Sequence, residues 1–397
     1  MNNLFAAVLP QEGGLAVKVS GRYQLTLAML GLLTLIGVAA GVHSLYLGHE
    51  HTFGVSREVP WGLLIAAYVF FVVTSTGLCI VSSVGHVFGF KGFQPIAKRA
   101  VFLSIATIVA GFLVIAFEIE NSWRMPVANV VGANLTSNIW WMGTLYGAYL
   151  FFMLVEFLML QLNRHRLALS FGLAGLITGV VAHSNLGAVF GLLNGREFWH
   201  GPYMPIYFIV SAAMSGCVAI IFFTWLAYRF CGWRMSDDMR RAMDSVARMG
   251  ALMMAIIIFF TSWKMIAGIT GDPPGKVEAM DALLSGPYAL NFWLGEVVLG
   301  MILPFIIIIL AKGRSMTALF VASVSAMIGI FFMRYDLVIV GQLVPSFHGM
   351  GLVDYPALLT YSPTLHENLV VLGGIGFCGL LFLAGERVFR GHLSQEH

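Results

Sequence analysis

The 397-residue sequence is poor in charge, with only 10% Asp, Glu, Lys and Arg against 59% hydrophobic residues. Mean hydropathy is +0.86. A soluble globular domain carries about 25% charged residues, so this composition excludes that class. Cysteine is equally scarce. Cys79, Cys217, Cys231 and Cys378 are scattered, with no CxxC and no Cys/His spacing suited to zinc or iron–sulfur ligation, and serve best as small apolar packing residues. Neither a cleavable signal peptide nor a segment of soluble-domain size is expected: Gln11, Glu12 and Lys18 interrupt the first 22 residues, and no small-residue cleavage site follows a short apolar core. The net charge of +3 comes from loop arginines and lysines, which excludes nucleic acid as a partner.

What the sequence does have is apolar runs long enough to cross a bilayer, recurring along its whole length. They predict an all-α integral membrane protein of about ten transmembrane helices, over 23–47, 61–88, 99–120, 138–162, 167–193, 203–230, 248–271, 287–311, 316–343 and 365–389. Sixteen of the Lys and Arg residues fall on the side of the termini and six on the other. By the positive-inside rule both termini are cytoplasmic, in a bacterial or archaeal cytoplasmic membrane. The longest cytoplasmic connection is expected over Cys231–Ala247. On the outer side the longer connections are 48–60, 121–137, 272–286 and 344–364.

A weak internal repeat organises these helices. Pro60-Trp61-Gly62 and Thr74-Ser75-Thr76-Gly77 in helix two correspond to Pro202-Tyr203-Met204-Pro205 and Met214-Ser215-Gly216 in helix six. Two parallel-repeat four-helix bundles, helices 2–5 (61–193) and helices 6–9 (203–343), are expected, flanked by helices 1 and 10. Residues 1–22 form a cytoplasmic N-terminal segment, 23–60 helix 1 and an outer loop, and 344–397 an outer loop, helix 10 and a cytoplasmic tail.

Polar residues inside such runs are costly unless they face a partner, water or a ligand. His183-Ser184-Asn185 interrupts helix five, Glu118 and Glu120 close helix three, and Arg334-Tyr335-Asp336 interrupts helix nine. Counting about 1.5 Å per residue places all three near the outer face. Glu156 lies towards the cytoplasmic end of helix four, and Glu296 nearer the middle of helix eight. With Arg334 and Asp336 they would mark a proton path from inner water to the outer cluster. Blander roles compete. The His183 triplet can simply bridge helices, Arg334 and Asp336 can form an ion pair, and Glu118 and Glu120 can be solvated or pair with Arg124. Trp61, Trp140, Trp141 and Trp293 suit an interfacial belt.

The order of these features resembles the NrfD/polysulfide reductase membrane-subunit family, in its ten-helix branch (HybB-like and DsrP-like), over about residues 20–390. The carriers are Val59-Pro60-Trp61-Gly62, Glu118-Ile119-Glu120-Asn121-Ser122-Trp123-Arg124, Glu156, His183-Ser184-Asn185-Leu186-Gly187, Met333-Arg334-Tyr335-Asp336, and Tyr361-Ser362-Pro363 with Glu367. After helix three the family pattern often reads acidic-Leu-Gly-Arg-Pro, and Glu120, Asn121 and Ser122 depart from it here. The resemblance implies a membrane protein that binds menaquinone or ubiquinone near the outer face and holds no haem or metal. It would exchange electrons with a periplasmic ferredoxin-like partner carrying [4Fe-4S] clusters. A multihaem cytochrome or a molybdopterin or hydrogenase catalytic subunit would complete the complex, inactive without its partners. In that frame Trp61, Tyr68, His183, Ser184, Asn185 and Gly187 are the expected quinone-binding residues. Gly187 would share the ligand face with His183 (i, i+4) and admit the ring. His183 is the expected proton acceptor, since an imidazole titrates at about 6.5, and Glu118 the relay. A secondary transporter and a haem b anchor are the alternatives. Paired histidines at matched depth, which a haem anchor needs, are absent from the sequence.

Overall fold

The computed structural model describes residues 21–231, 234–271, 273, 275–346 and 356–389. Most of the expected N-terminal segment, with Lys18, and the tail from residue 390, with Arg390, lie outside the described residues. Among the described residues, ten helices are long and apolar enough to span a membrane. They are α1 (Gly21–Leu47), α2 (Leu63–His86), α3 (Gln94–Glu118), α4 (Asn138–Gln161), α5 (His165–Gly191), α6 (Tyr203–Cys231), α7 (Asp237–Gly271), α8 (Asn291–Ala311), α9 (Met316–Leu343) and α10 (Leu365–Val388). Among the described residues there is no strand. The even number of crossings brings Gly21 and Val388 to one side, the terminal face. The connections after α1, α3, α5, α7 and α9 lie at the opposite face.

The structure corrects the expected connection over Cys231–Ala247. Helix α7 begins at Asp237, eleven residues before Arg248. The Ser236 hydroxyl accepts from the Met239 amide at 3.2 Å, and Asp237 and Asp238 occupy the first turn, where a carboxylate offsets the positive end of the helix dipole. Charged first turns of this kind escape a hydropathy count. The opposite-face connections are more ordered than their composition suggests, with short helices at Met125–Val131 and Lys276–Leu284. Helix α8 starts as a π-helix over Asn291–Ile302 before tightening at Leu303.

Helices α2 and α6 form the centre, with 83% and 78% of their spans buried. They touch through backbone. A Cβ on Gly77 would overlap the Ala212 carbonyl oxygen, and one on Gly216 would overlap the Gly77 carbonyl. Without a hydrophobic drive between helices in lipid, such small-residue crossings supply close van der Waals contact. Around this axis α2 packs on α3, α4 on α5, α6 on α7, α8 on α9, and α1 on α10.

Candidate functional site and its buried polar network

Helix α4 carries the central polar stripe. Tyr146, Tyr149, Met153 and Glu156 follow at intervals of three and four residues, so they share one face, and all four are buried. At the terminal end, Glu156 Oε1 stands 3.1 Å from Nδ1 of His86, the last residue of α2. Gly172 of α5 leaves room for this carboxylate, since a Cβ there would sit 2.6 Å from Glu156 Oε1. Further in, the Tyr149 hydroxyl donates to the Ser75 carbonyl at 3.0 Å and meets the Ser75 hydroxyl, which donates to the Ser104 carbonyl at 2.7 Å. The Tyr146 hydroxyl meets Nδ1 of His183 at 3.0 Å. His183 is fully buried beside the Phe208 ring, and its Nε2 has no partner among the described residues.

Above this stripe, towards the opposite face, α2–α5 enclose a cavity of about 510 Å³. Its walls come from Ile65, Tyr68 and Val69 of α2, Phe112, Ile115 and Ala116 of α3, Met142, Gly143 and Gly147 of α4, and Leu186, Val189 and Phe190 of α5. Ser122, Met125, Pro126 and Asn129, from the connection after α3, line it at the opposite face. The wall is almost wholly apolar. The Tyr68 and Ser122 hydroxyls line it with no hydrogen-bond partner among the described residues, while the Asn129 amide donates to Thr144 at 2.8 Å.

Trp61 also lines this cavity, and it is held from three directions. Gln342 of α9 accepts from its backbone N–H at 3.0 Å and donates to its carbonyl at 2.9 Å. Trp199 stacks on it at 5.3 Å, and Phe190 meets it edge-on at 5.4 Å. Arg196 donates to the Gln342, Val344 and Glu58 carbonyls, tying three opposite-face connections together. Buried Glu367 is a second hub. It accepts from the Tyr361 hydroxyl at 2.5 Å and from the amides of Gly54 and Thr364, while Tyr361 in turn accepts from Leu63 N–H at 2.7 Å and so caps the start of α2. Burial, reinforced by the Glu367 charge, pushes the Tyr361 hydroxyl well above its ordinary range and keeps it a donor.

A second polar cluster lies among α6–α9. Arg334 is fully buried, donates to the Ser211 hydroxyl at 2.7 Å, and stacks over Phe208 at 5.2 Å. Its Nε and Nη1 have no partner, and it joins none of the ion pairs among the described residues. Its charge acts on His183 and Tyr146 on one side and on Glu296 on the other. Glu296, Lys264, Asp336, Tyr203 and Tyr207 surround a void of about 20 Å³, room for about one water. Lys264 Nζ sits 3.6 Å from the centroid of the Phe198 ring. Asp336 takes one long hydrogen bond, 3.4 Å from Asn291, and its Oδ2 is left over.

The expected site residues therefore divide. Trp61 and Tyr68 line the cavity, while His183 stands outside its wall and bonds to Tyr146. Asn185 Nδ2 donates to the Asn138 carbonyl at 2.9 Å, linking α5 to α4, and Ser184 is half-buried outside the wall. Gly187 does not share a ligand face with His183. A Cβ there would meet Pro205 Cα at 2.7 Å and the Met204 carbonyl at 2.8 Å, so this glycine admits the start of α6 rather than a ring. Arg334 and Asp336, adjacent in the sequence pattern, form no ion pair with each other. Glu118 is half-buried with Oε2 unpartnered, and the carboxylate that acts on it is Glu367, away from the cavity wall. Glu156 and Glu296 are buried in separate clusters. Tyr146, Tyr149, His86, Ser211 and Gln342 also belong to the network, and none of them stands out in the sequence as a site residue. For the two tyrosines a signal exists, the three-four-three spacing that ends on Glu156.

The fold and this site define an all-α integral membrane protein with a large apolar pocket at one face and buried ionisable residues beneath it. The polysulphide reductase NrfD family profile matches residues 52–346, and the chain belongs to that family. It is 28% identical over 365 residues to the Hdr-like menaquinol oxidoreductase integral membrane subunit of Archaeoglobus fulgidus, covering 88% of this chain and 90% of that one. It is 26% identical over 393 residues to a selenate reductase subunit of Mesobacillus selenatarsenatis, covering 86% and 89%.

Proposed function

We propose that this chain is the quinone-binding membrane subunit of a respiratory or sulfur-metabolism oxidoreductase, with the quinone head in the α2–α5 cavity. The observation that carries this reading is the cavity itself: about 510 Å³, apolar walls, and two unpaired hydroxyls, Tyr68 and Ser122. Ligand pockets of about 300–1,000 Å³ with few polar groups are the usual form for flat apolar ligands, and a hydroxyl in the wall with no protein partner is free to donate to such a ligand. The residues present thus fit a quinone. When bound, such a group supplies a two-electron, two-proton couple.

The chain's own residues supply position and proton handling. Tyr68 and Ser122 orient the ring carbonyls, and the clamped Trp61 forms a rigid wall. Tyr146 and His183 stand next in the polar sequence, with the Arg334 charge acting on both. Glu156 and His86, on the same α4 face as Tyr149 with its Ser75 partner, offer a route towards the terminal face. Glu296, Lys264 and Asp336 offer a second, through the other helix group. The menaquinol in the name of the Archaeoglobus relative favours menaquinone. The short helix Met125–Val131 over the cavity suits a docking place for an iron–sulfur partner at the opposite face. The excess of basic residues at the terminal face makes that face cytoplasmic.

The test is Tyr68→Phe in the assembled complex. Losing one hydrogen bond to the ring lowers quinol oxidation on the order of tenfold, with partner proteins still co-purifying. Unchanged turnover in the intact complex rejects the pocket assignment.

A further inference from the structure

A second cavity, of about 500 Å³, opens on the other side of α2, between α1 and α10 and the pair α6 and α9. It differs in kind from the pocket beside Tyr68. Its only hydroxyls belong to Thr26, Thr74 and Thr107, and each donates to a carbonyl of its own helix: Arg22, Phe70 and Leu103 respectively. No hydroxyl in the wall is free to hold a quinone carbonyl. The remaining surface is hydrocarbon and aromatic ring, with the Cys378 thiol.

Charge gathers at one end. Arg22 stands one turn from Thr26, Arg229 one turn from Leu226, and Arg387 one turn from Leu383. Each arginine thus continues a helix face that lines the cleft. All three are exposed, and none joins an ion pair among the described residues. Two contacts hold them at one level. The Tyr23 hydroxyl, beside Arg22, donates to the Leu383 carbonyl at 2.9 Å. Buried Arg99 pairs with Glu386 at 2.8 Å and stacks over Tyr228 at 5.7 Å, so the residues preceding Arg387 and Arg229 meet on one guanidinium. That pair also consumes the neighbouring carboxylate, so among the described residues the positive charge of the three arginines has no ion-pair partner.

We propose that this cleft is a binding site for one anionic diacyl phospholipid, with its acyl chains in the cavity and its phosphate on Arg22, Arg229 and Arg387. A lipid chain needs no hydrogen bonds, which matches the satisfied threonines, and a phosphate between guanidinium groups gains charge-assisted ones. The site rests on a different wall from the quinone pocket and does not depend on it.

Native mass spectrometry of the full chain, released from nanodiscs made of equal parts phosphatidylglycerol and phosphatidylcholine, tests this. The expected result is preferential retention of phosphatidylglycerol. Each Arg→Gln change should weaken retention about fivefold, and R22Q/R229Q/R387Q should abolish the preference. A variant with charges removed away from the cleft, K312Q/R314Q, should retain lipid like the native chain. Equal retention of both lipids, undiminished phosphatidylglycerol on the triple variant, or a neutral isoprenoid in place of phospholipid each overturns the proposal. Because the three arginines are exposed, the triple variant folds, and monodisperse elution confirms it.

Discussion

Nδ1 of His183 and the hydroxyl of Tyr146 stand 3.0 Å apart, both side chains fully buried, joining α5 to α4 directly below the apolar cavity. The imidazole has one nitrogen engaged and Nε2 free, so it can pass a proton only through Tyr146 or by a shift of its own. In the proposed mechanism the two residues act as one unit. Tyr146→Phe and His183→Ala should each lower stability by about 1–3 kcal/mol, since each orphans a buried polar atom. The double variant should fall short of the sum by about 1 kcal/mol. Thermal unfolding in detergent reads the cycle, and quinol oxidation by the assembled complex should fall similarly in both singles. A strictly additive cycle, or a far larger kinetic loss for His183→Ala, shows instead that His183 works alone.

The crossing of α2 and α6 gives a second expectation. Gly77 and Gly216 sit in the two segments proposed from the sequence pattern to correspond as a repeat, and they meet each other. That is where an axis relating the two proposed helix groups would run. Because a Cβ at position 77 would overlap the backbone of α6, even Gly77→Ala forces the helices apart. Overpacking costs about 1–3 kcal/mol or more, so Gly77→Ala should reduce the yield of folded protein in size-exclusion chromatography. Gly195→Ala meets nothing within 4 Å and is the control. Equal yields from both would show that the crossing is not tight.

The helix count and most helix ends could be read from hydropathy, because a bilayer demands long apolar runs and little else produces them. The start of α7 could not, since Ser236, Asp237 and Asp238 form a cap whose polarity imitates a loop. The site was legible in part. Tyr68 lies in the first turns of a helix descending from the opposite face and Trp61 just ahead of that helix, and depth counting alone brings them to the pocket. The role of Gly187 was not legible. Position i+4 from His183 describes a shared helix face but not what that face packs against, and Met204 and Pro205 belong to the next helix. Partners such as Ser211 for Arg334, or Gln342 for Trp61, arise from tertiary packing for which one sequence carries no periodic signal.

Arg99 and Glu386 supply a stability test free of the quinone question. Both are buried, Nε to Oε1 measures 2.8 Å, and Nη2 reaches Oε2 at 3.2 Å. Removing one partner strands a charge at about 3–5 kcal/mol, whereas replacing both by apolar residues is often neutral. Arg99→Met should therefore lower the unfolding temperature sharply, and Arg99→Met with Glu386→Leu should recover most of the loss. Failure of the double variant to recover would mean that the pair contributes more than its charges, for instance through the Arg99 contact with Tyr228.

In the proposed mechanism, Glu156 is the residue at which to test whether protons cross the protein or leave only near the pocket. Its carboxylate, paired with His86 at 3.1 Å, lies at the terminal end of the stripe that carries Tyr149 and Tyr146. Gln at this position keeps the shape and one acceptor for His86 but cannot release a proton. If the stripe conducts, Glu156→Gln should leave quinone binding intact while lowering turnover severalfold and abolishing the part of the membrane potential that depends on uptake from the terminal face. Proteoliposomes with the complex in one orientation and a potential-sensitive dye measure this, with Tyr149→Phe as the variant that interrupts the same route midway. Normal potential generation in both variants would remove the α4 stripe as a conductor. The path through Glu296, Lys264 and Asp336 would then be the one to cut.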